Sequence, residues 1–101
     1  MTNEFQEQCS RRVRDFVASA GKNIEFTEVV GRREAYLRGH IEPSDVSLEV
    51  YVYVDELGLM REAKKWSLWE RCDYADQDQM LDSFIRALQG LLGDRAKVPP
   101  P

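Results

Sequence analysis

Apolar residues recur at helical spacing near both ends of the chain. The first stripe predicts a helix that Asn3 caps, with Gln6 three residues later in the capping-box position, and that Gly21 ends. The second predicts a helix capped by Asp76 and ended by Gly93. The apolar positions are Phe5, Cys9, Val13, Phe16, Val17 and Ala20 in the first stripe, and Met80, Leu81, Phe84, Ile85, Leu88, Leu91 and Leu92 in the second.

Between the helices the apolar period changes to two, which is typical of half-buried strands. Alternating runs cover residues 24–30, 35–42 and 46–55, and a fourth strand is predicted over 66–71. The third run has one wholly aliphatic face, which favours a central position in the sheet. Residues 31–32 suit a two-residue type II′ turn, and residues 56–58 suit a second turn. Residues 59–65 fit either the start of a strand or a short helical turn.

This order predicts an α+β fold, a two-layer sandwich in which an antiparallel β-meander of about four strands is flanked by N- and C-terminal helices. Both helices would cover the aliphatic face of the sheet and leave the other face open. Trp66 and Trp69 have opposite parity, so at most one of them reaches the core. The residues predicted on the open face are Tyr36, Arg38, His40, Tyr51 and Tyr53.

That open face is the first candidate binding surface. Tyrosine and arginine are enriched at the energetically dominant positions of protein interfaces. Aromatic side chains also stabilise a solvated sheet by packing across strands, which requires no partner. The sequence leaves these two interpretations equally open.

A second candidate surface is acidic and lies at the start of the C-terminal helix. Carboxylates in a first helical turn are expected because they complement the helix dipole, so the structural interpretation is favoured. A weaker hypothesis is a negative surface presented to a basic protein. The carboxylates are those of Asp73, Asp76, Asp78 and Asp82.

Composition restricts the function classes further. The 101 residues suit a single domain over 1–93, followed by a disordered proline-rich tail over 94–101. With 18 acidic against 14 basic residues the net charge is −4, which disfavours nucleic acid and favours a basic partner. No apolar run is long enough to span a membrane. Two cysteines and an N-terminus unlike a secretory signal predict a reducing, cytoplasmic location.

Candidate chemistry is sparse. His40 is the one histidine, and it is distant in sequence from both Cys9 and Cys72, so neither a catalytic pair nor a zinc ligand set has suitable spacing. The glycines are isolated and form no phosphate-binding loop. The sequence therefore predicts a non-enzymatic protein without metal or cofactor.

Three families share parts of this pattern. Residues 50–55 as a central strand, 66–70 as an edge strand and Asp73-Tyr74 leading into the last helix resemble small bacterial immunity proteins of polymorphic-toxin systems. That resemblance implies a protein that occludes a toxin and does no chemistry. The chain also resembles secretion chaperones, which implies a self-associating dimer. The order of elements resembles the double-stranded-RNA-binding domain, but acids stand where that family presents basic residues to phosphates.

Overall fold

The computed structural model of the protein describes residues 2–97, and describes side-chain surroundings as far as Leu92. Two α-helices and five strands follow one another, with a short 3₁₀ helix before the last element. The predicted α+β class and the helix–sheet–helix order are confirmed, with five strands instead of about four. The elements are α1 (Glu4–Ser19), β1 (Asn23–Val30), β2 (Ala35–Glu42), β3 (Leu48–Val52), β4 (Glu56–Arg61), β5 (Lys65–Glu70), the 3₁₀ helix (Arg71–Asp73) and α2 (Gln77–Lys97).

Helix α1 begins and ends as the sequence predicts. The Asn3 side chain accepts a hydrogen bond from the Gln6 backbone N–H at 2.8 Å, and Gln6 Oε1 accepts one from the Asn3 N–H at 2.8 Å. This reciprocal capping box satisfies two N–H groups that have no partner within the helix. Gly21, with φ +76°, takes the left-handed conformation that follows the helix end.

The five strands form one antiparallel sheet in the order β1-β2-β3-β4-β5, so β3 is central as predicted. The predicted turn at 56–58 is wrong, because these residues begin β4. The chain turns earlier, where the Tyr53 N–H donates to the Glu56 carbonyl at 2.9 Å. This shift lets Leu57 and Leu59 enter the core, and burying two leucines stabilises the fold by about 1.5–3 kcal/mol each.

The predicted two-residue turn at Gly31–Arg32 is also wrong. A four-residue loop joins β1 to β2, the Gly31 N–H donates to the Glu34 carbonyl, and Gly31 lacks the positive φ of a type II′ turn. The longer loop sets a register in which Phe26 lies opposite Gly39. The side chains of Ile24 and Phe26 fill the space that a side chain at Gly39 would need, so packing determines this register.

The ambiguous segment 59–65 contains neither a continuous strand nor a helical turn. Strand β4 continues to Arg61, the chain reverses at Glu62 and Ala63, and β5 begins at Lys65. Because Arg61 is paired with Lys65, three residues, 62–64, join the two strands, and Glu62 and Ala63 have positive φ of 54° and 56°.

Both helices pack on the same face of the sheet, and α1 contacts β1 to β3 while α2 contacts β5. We call this the inner face and the opposite one the outer face. The core between the layers comprises the buried residues Cys9, Val13, Val17, Ile24, Ile41, Leu48, Val50, Val52, Leu57, Leu59, Met80, Leu81, Phe84, Leu88 and Leu92. The two-layer arrangement is therefore as predicted.

Helix α2 has the predicted N-cap, since the Asp76 side chain accepts a hydrogen bond from the Gln79 N–H at 2.9 Å. The predicted end at Gly93 is wrong, because the helix continues to Lys97. A glycine inside a helix lowers the stability of the helix by only about 1 kcal/mol relative to alanine, and the residues after Gly93 are compatible with a helix, so α2 continues past Gly93. Residues 94–97 of the predicted tail are thus helical, and 98–101 lie outside the described residues.

Candidate functional site

Strand register places the predicted open-face residues on the outer face. Arg38 is paired with Tyr51 and His40 with Glu49 across β2 and β3, and Tyr36 lies two residues before Arg38. Tyr53 lies just beyond the end of β3, in the turn to β4. Among residues 2–92, both helices pack on the inner face, so the outer face is left open to contact.

Four aromatic rings meet on this face, and we call them the aromatic cluster: Tyr36, Tyr51, Tyr53 and Trp66. The Tyr36 ring centroid lies 5.2 Å from that of Tyr53, and Tyr51 stacks on Tyr53 at 6.2 Å with 12° between the ring planes. Trp66 meets Tyr51 edge-on at 5.2 Å. These separations are those of favourable aromatic pairs. The three tyrosines are half-buried, whereas Trp66 is 43% exposed.

Trp66 reaches the cluster because a glycine lies beneath it. The indole crosses Gly58 of β4, and a Cβ atom at that position would overlap the ring. An aromatic side chain that covers a glycine on the neighbouring strand is a known means of stabilising a sheet. Sequence parity indicated that one tryptophan lies outside the core, but it did not connect Trp66 with the tyrosines. The pairing of Gly58 with Tyr51 was the missing information.

Arg38 and His40 extend the face away from the cluster in different ways. Arg38 forms an ion pair with Glu49, with Nε 3.0 Å from the carboxylate, and its guanidinium carbon lies 5.8 Å from the Tyr51 ring centroid. The hydrogen bond that Arg38 donates to the Glu49 carboxylate raises the pKa of Arg38, and partial burial raises the pKa of Tyr51. His40 is exposed and lies 4.0 Å from Glu42. The arginine is thus anchored to the cluster, and the histidine is not part of it.

An acidic pair, Glu56 and Glu70, lies at the opposite end of the outer face. These two residues are direct cross-strand partners on β4 and β5. Partial burial raises the pKa of Glu56, with further contributions from the charges of Asp55 and Glu70 and from a hydrogen bond to Glu70. Like charges opposite each other destabilise a sheet. This pair could not be predicted from sequence while residues 56–58 were assigned to a turn.

The four carboxylates predicted at the start of α2 differ in their partners. Asp76 is used as the N-cap, and Asp73 ends the 3₁₀ helix. Arg12 of α1 lies 3.6 Å from a carboxylate oxygen of both Asp78 and Asp82. Two of the four carboxylates therefore share a cation from their own chain, which weakens their field toward a partner.

The cysteines differ in environment. Cys9 is buried on the inner side of α1, and burial raises its thiol pKa to about 12. Cys72 is exposed, and both thiols are free. Within the described part of the chain, no group of three or more histidine, cysteine or acidic side chains has an arrangement that would hold a metal ion. Neither described helix combines the length and apolar character needed to cross a bilayer.

Comparisons with protein-family models, with curated proteins and with solved structures found no match to this chain. The resemblance to immunity proteins therefore stays a prediction.

Proposed function

We propose that this protein is a non-enzymatic protein-binding domain that uses the outer face of its sheet. The observation that carries the proposal is the aromatic cluster, which offers four contacting rings on a face that neither helix covers. Rigid aromatic side chains provide large contact areas at low cost in conformational entropy, and they are enriched at binding hot spots.

The charges around the cluster indicate the chemistry of the partner. The acidic pair lies at one end of the face, and Arg38 at the other end is already paired with Glu49. The whole chain carries a net charge of −4. A partner surface with an apolar centre and a lysine or arginine at its rim would complement this arrangement and relieve the repulsion between Glu56 and Glu70.

Cross-strand packing alone is the competing interpretation, and the exposed apolar residues argue against it. Trp66 and Leu68 are each 43% exposed on the outer side of β5. A purely structural cluster gains little from leaving its largest ring accessible to water.

The direct test is affinity capture from the native host with matched variants. We expect the unmodified protein to capture a partner that the Tyr51→Ala/Tyr53→Ala variant loses. An Arg14→Ala/Asp15→Ala variant, changed at exposed positions of α1, should retain the partner. Because removal of tyrosines weakens the sheet, a Glu56→Gln/Glu70→Gln variant tests the same face without removing apolar contacts. Retention of the partner by both face variants would refute the proposal.

Within this class we propose an immunity or antitoxin-like role, in which the domain occludes a toxin. The support is the resemblance of residues 50–55, 66–70 and 73–92 to immunity proteins, together with the acidic, aromatic face. The test is co-expression with the product of the neighbouring gene in the host. Growth should be rescued by the unmodified chain and not by the Tyr51→Ala/Tyr53→Ala variant, and rescue by both would contradict the role assigned to this face.

A further inference from the structure

The outer edge of the sheet at β5 is open. Four of its six residues, Lys65 to Leu68, are exposed, although α2 packs against this strand from the inner side. Within residues 2–97, β4 is the only strand that pairs with β5, so half of the backbone hydrogen-bonding groups of β5 are directed to the edge. An edge that carries Trp66 and Leu68 at 43% exposure is suited to pairing with another strand.

The residues along this edge are complementary to themselves. Trp66, Leu68 and Glu70 lie at alternate positions of β5 on the outer face, and the exposed Lys64 lies in the turn directly before the strand, so the order is a cation, two apolar residues and an anion. If two copies of β5 pair antiparallel about Ser67, Lys64 faces Glu70 of the second copy, and Trp66 faces Leu68 of the second copy. Each interaction occurs twice, as the symmetry of a two-fold dimer requires.

We propose that β5 pairs antiparallel with β5 of a second copy in a register centred on Ser67, which joins two sheets into one of ten strands. Opposite residues in this register share the same parity, so both outer faces lie on the same side of the joined sheet. The inference does not rest on the proposed function, because the cluster tyrosines stay accessible in either state.

A second observation supports this occupant over an unrelated strand. Glu70 faces Glu56 within its own chain, and none of the ion pairs formed among the described residues involves Lys64. In the dimer, Lys64 of the second copy would lie beside this acidic pair and supply the cation that its own chain does not place there. An unrelated strand would have to match the same order of charge and apolar positions by chance.

The first test exchanges the charges. We expect the unmodified protein to be dimeric at tens of micromolar in sedimentation velocity, and Lys64→Glu and Glu70→Lys each to weaken dimerisation by about tenfold or more, because each creates two like-charge contacts. An equal mixture of the two variants should dimerise again, since every contact in the mixed pair is attractive. Circular dichroism checks that each variant is folded.

The second test fixes the register by cross-linking. Opposite Cα atoms in an antiparallel pair are about 4.5–5.5 Å apart, which lies within the range of a disulfide. With the exposed Cys72 replaced by serine, a Ser67→Cys variant should form a covalent dimer under mild oxidation, whereas a Thr27→Cys variant on β1 should not. A monomeric unmodified protein at several hundred micromolar, a mixture that stays monomeric, or equal cross-linking at both positions would overturn the proposal.

Discussion

Gln6 is the one buried polar side chain among the described residues, and Gln6→Glu tests how much it stabilises the fold. Its side-chain nitrogen donates to the Ala35 carbonyl at 2.9 Å and to the Val52 carbonyl at 3.2 Å, while its oxygen accepts from the Asn3 N–H. The glutamine thereby connects the start of α1 to β2 and β3. Glutamate has nearly the same shape, but it places an oxygen against two carbonyl oxygens.

The expected loss follows from these contacts. Two hydrogen bonds disappear at about 0.5–1.5 kcal/mol each, and a carbonyl left without a donor adds about 1–3 kcal/mol. We therefore expect a destabilisation of about 3–4 kcal/mol near pH 7, against a total of about 5–14 kcal/mol for a domain of this length. A change of that size lowers Tm by about 15 °C or more.

Urea unfolding provides the assay, because Trp69 is half-buried against Phe84 with ring centroids 4.9 Å apart and reports loss of the core. The matched control is Gln89→Glu, the same chemical change at an exposed position of α2. A free energy of unfolding for Gln6→Glu within about 0.5 kcal/mol of the control would refute the reasoning.

The pH dependence of the same variant has a definite sign. Burial beside two acceptors raises the pKa of a carboxyl at position 6 above its unfolded value. The folded state then holds a proton more tightly than the unfolded state, so stability is lost as pH rises through that window. The loss in free energy of unfolding caused by Gln6→Glu should be smaller in acid, because the protonated carboxyl donates one hydrogen bond. A destabilisation by Gln6→Glu that is the same at about pH 4 and pH 7 would contradict a raised carboxyl pKa at position 6.

Three further predictions concern a glycine pair, the acidic pair and the thiols. Gly58→Ala should lower Tm because the alanine methyl would overlap the Trp66 indole. Gly90→Ala, at a position where a Cβ atom would have no heavy atom within 4 Å, should stabilise α2 by about 0.5–1 kcal/mol. Equal effects of the two variants on Tm would contradict the packing of Trp66 on Gly58. Glu56→Gln should raise Tm near pH 7 and not near pH 3, since a raised pKa means stability lost as pH rises above 4.5. In the native protein a thiol reagent should modify Cys72 quickly and reach Cys9 only on unfolding, because Cys9 is buried and its pKa is about 12.

Patterns of apolar periodicity predicted most of the fold. Both helices, their N-caps and the central position of β3 follow from local sequence, because capping and alternation act over a few residues. The turns at 31–32 and 56–58 were placed wrongly because glycine was interpreted as a turn residue. Gly39 and Gly58 are required by side chains from neighbouring strands, which local sequence does not reveal.

The candidate site was only partly accessible from sequence for the same reason. Parity placed Tyr36, Tyr51 and Tyr53 on one face, but the membership of Trp66 depended on the registers between β3 and β4 and between β4 and β5. Gln6 was identified as a capping residue, and its burial was missed even though it lies three residues before Cys9 on the apolar stripe. A polar residue on such a stripe is the signal that predicts a buried hydrogen-bonding role.

The outer face combines features that are unfavourable in a monomer. Facing glutamates and an exposed Trp66 and Leu68 all lie along β4 and β5, and each lowers solubility or stability in an isolated copy. Pairing of two β5 strands would satisfy the open backbone groups of the edge and would place two aromatic clusters on one side of a continuous sheet. A partner that recognises the cluster would then bind with a stoichiometry of two sites per dimer. If the protein loses affinity for its partner when the dimer dissociates, the partner spans both clusters. If the affinity is the same for dimer and monomer, each cluster binds a partner of its own.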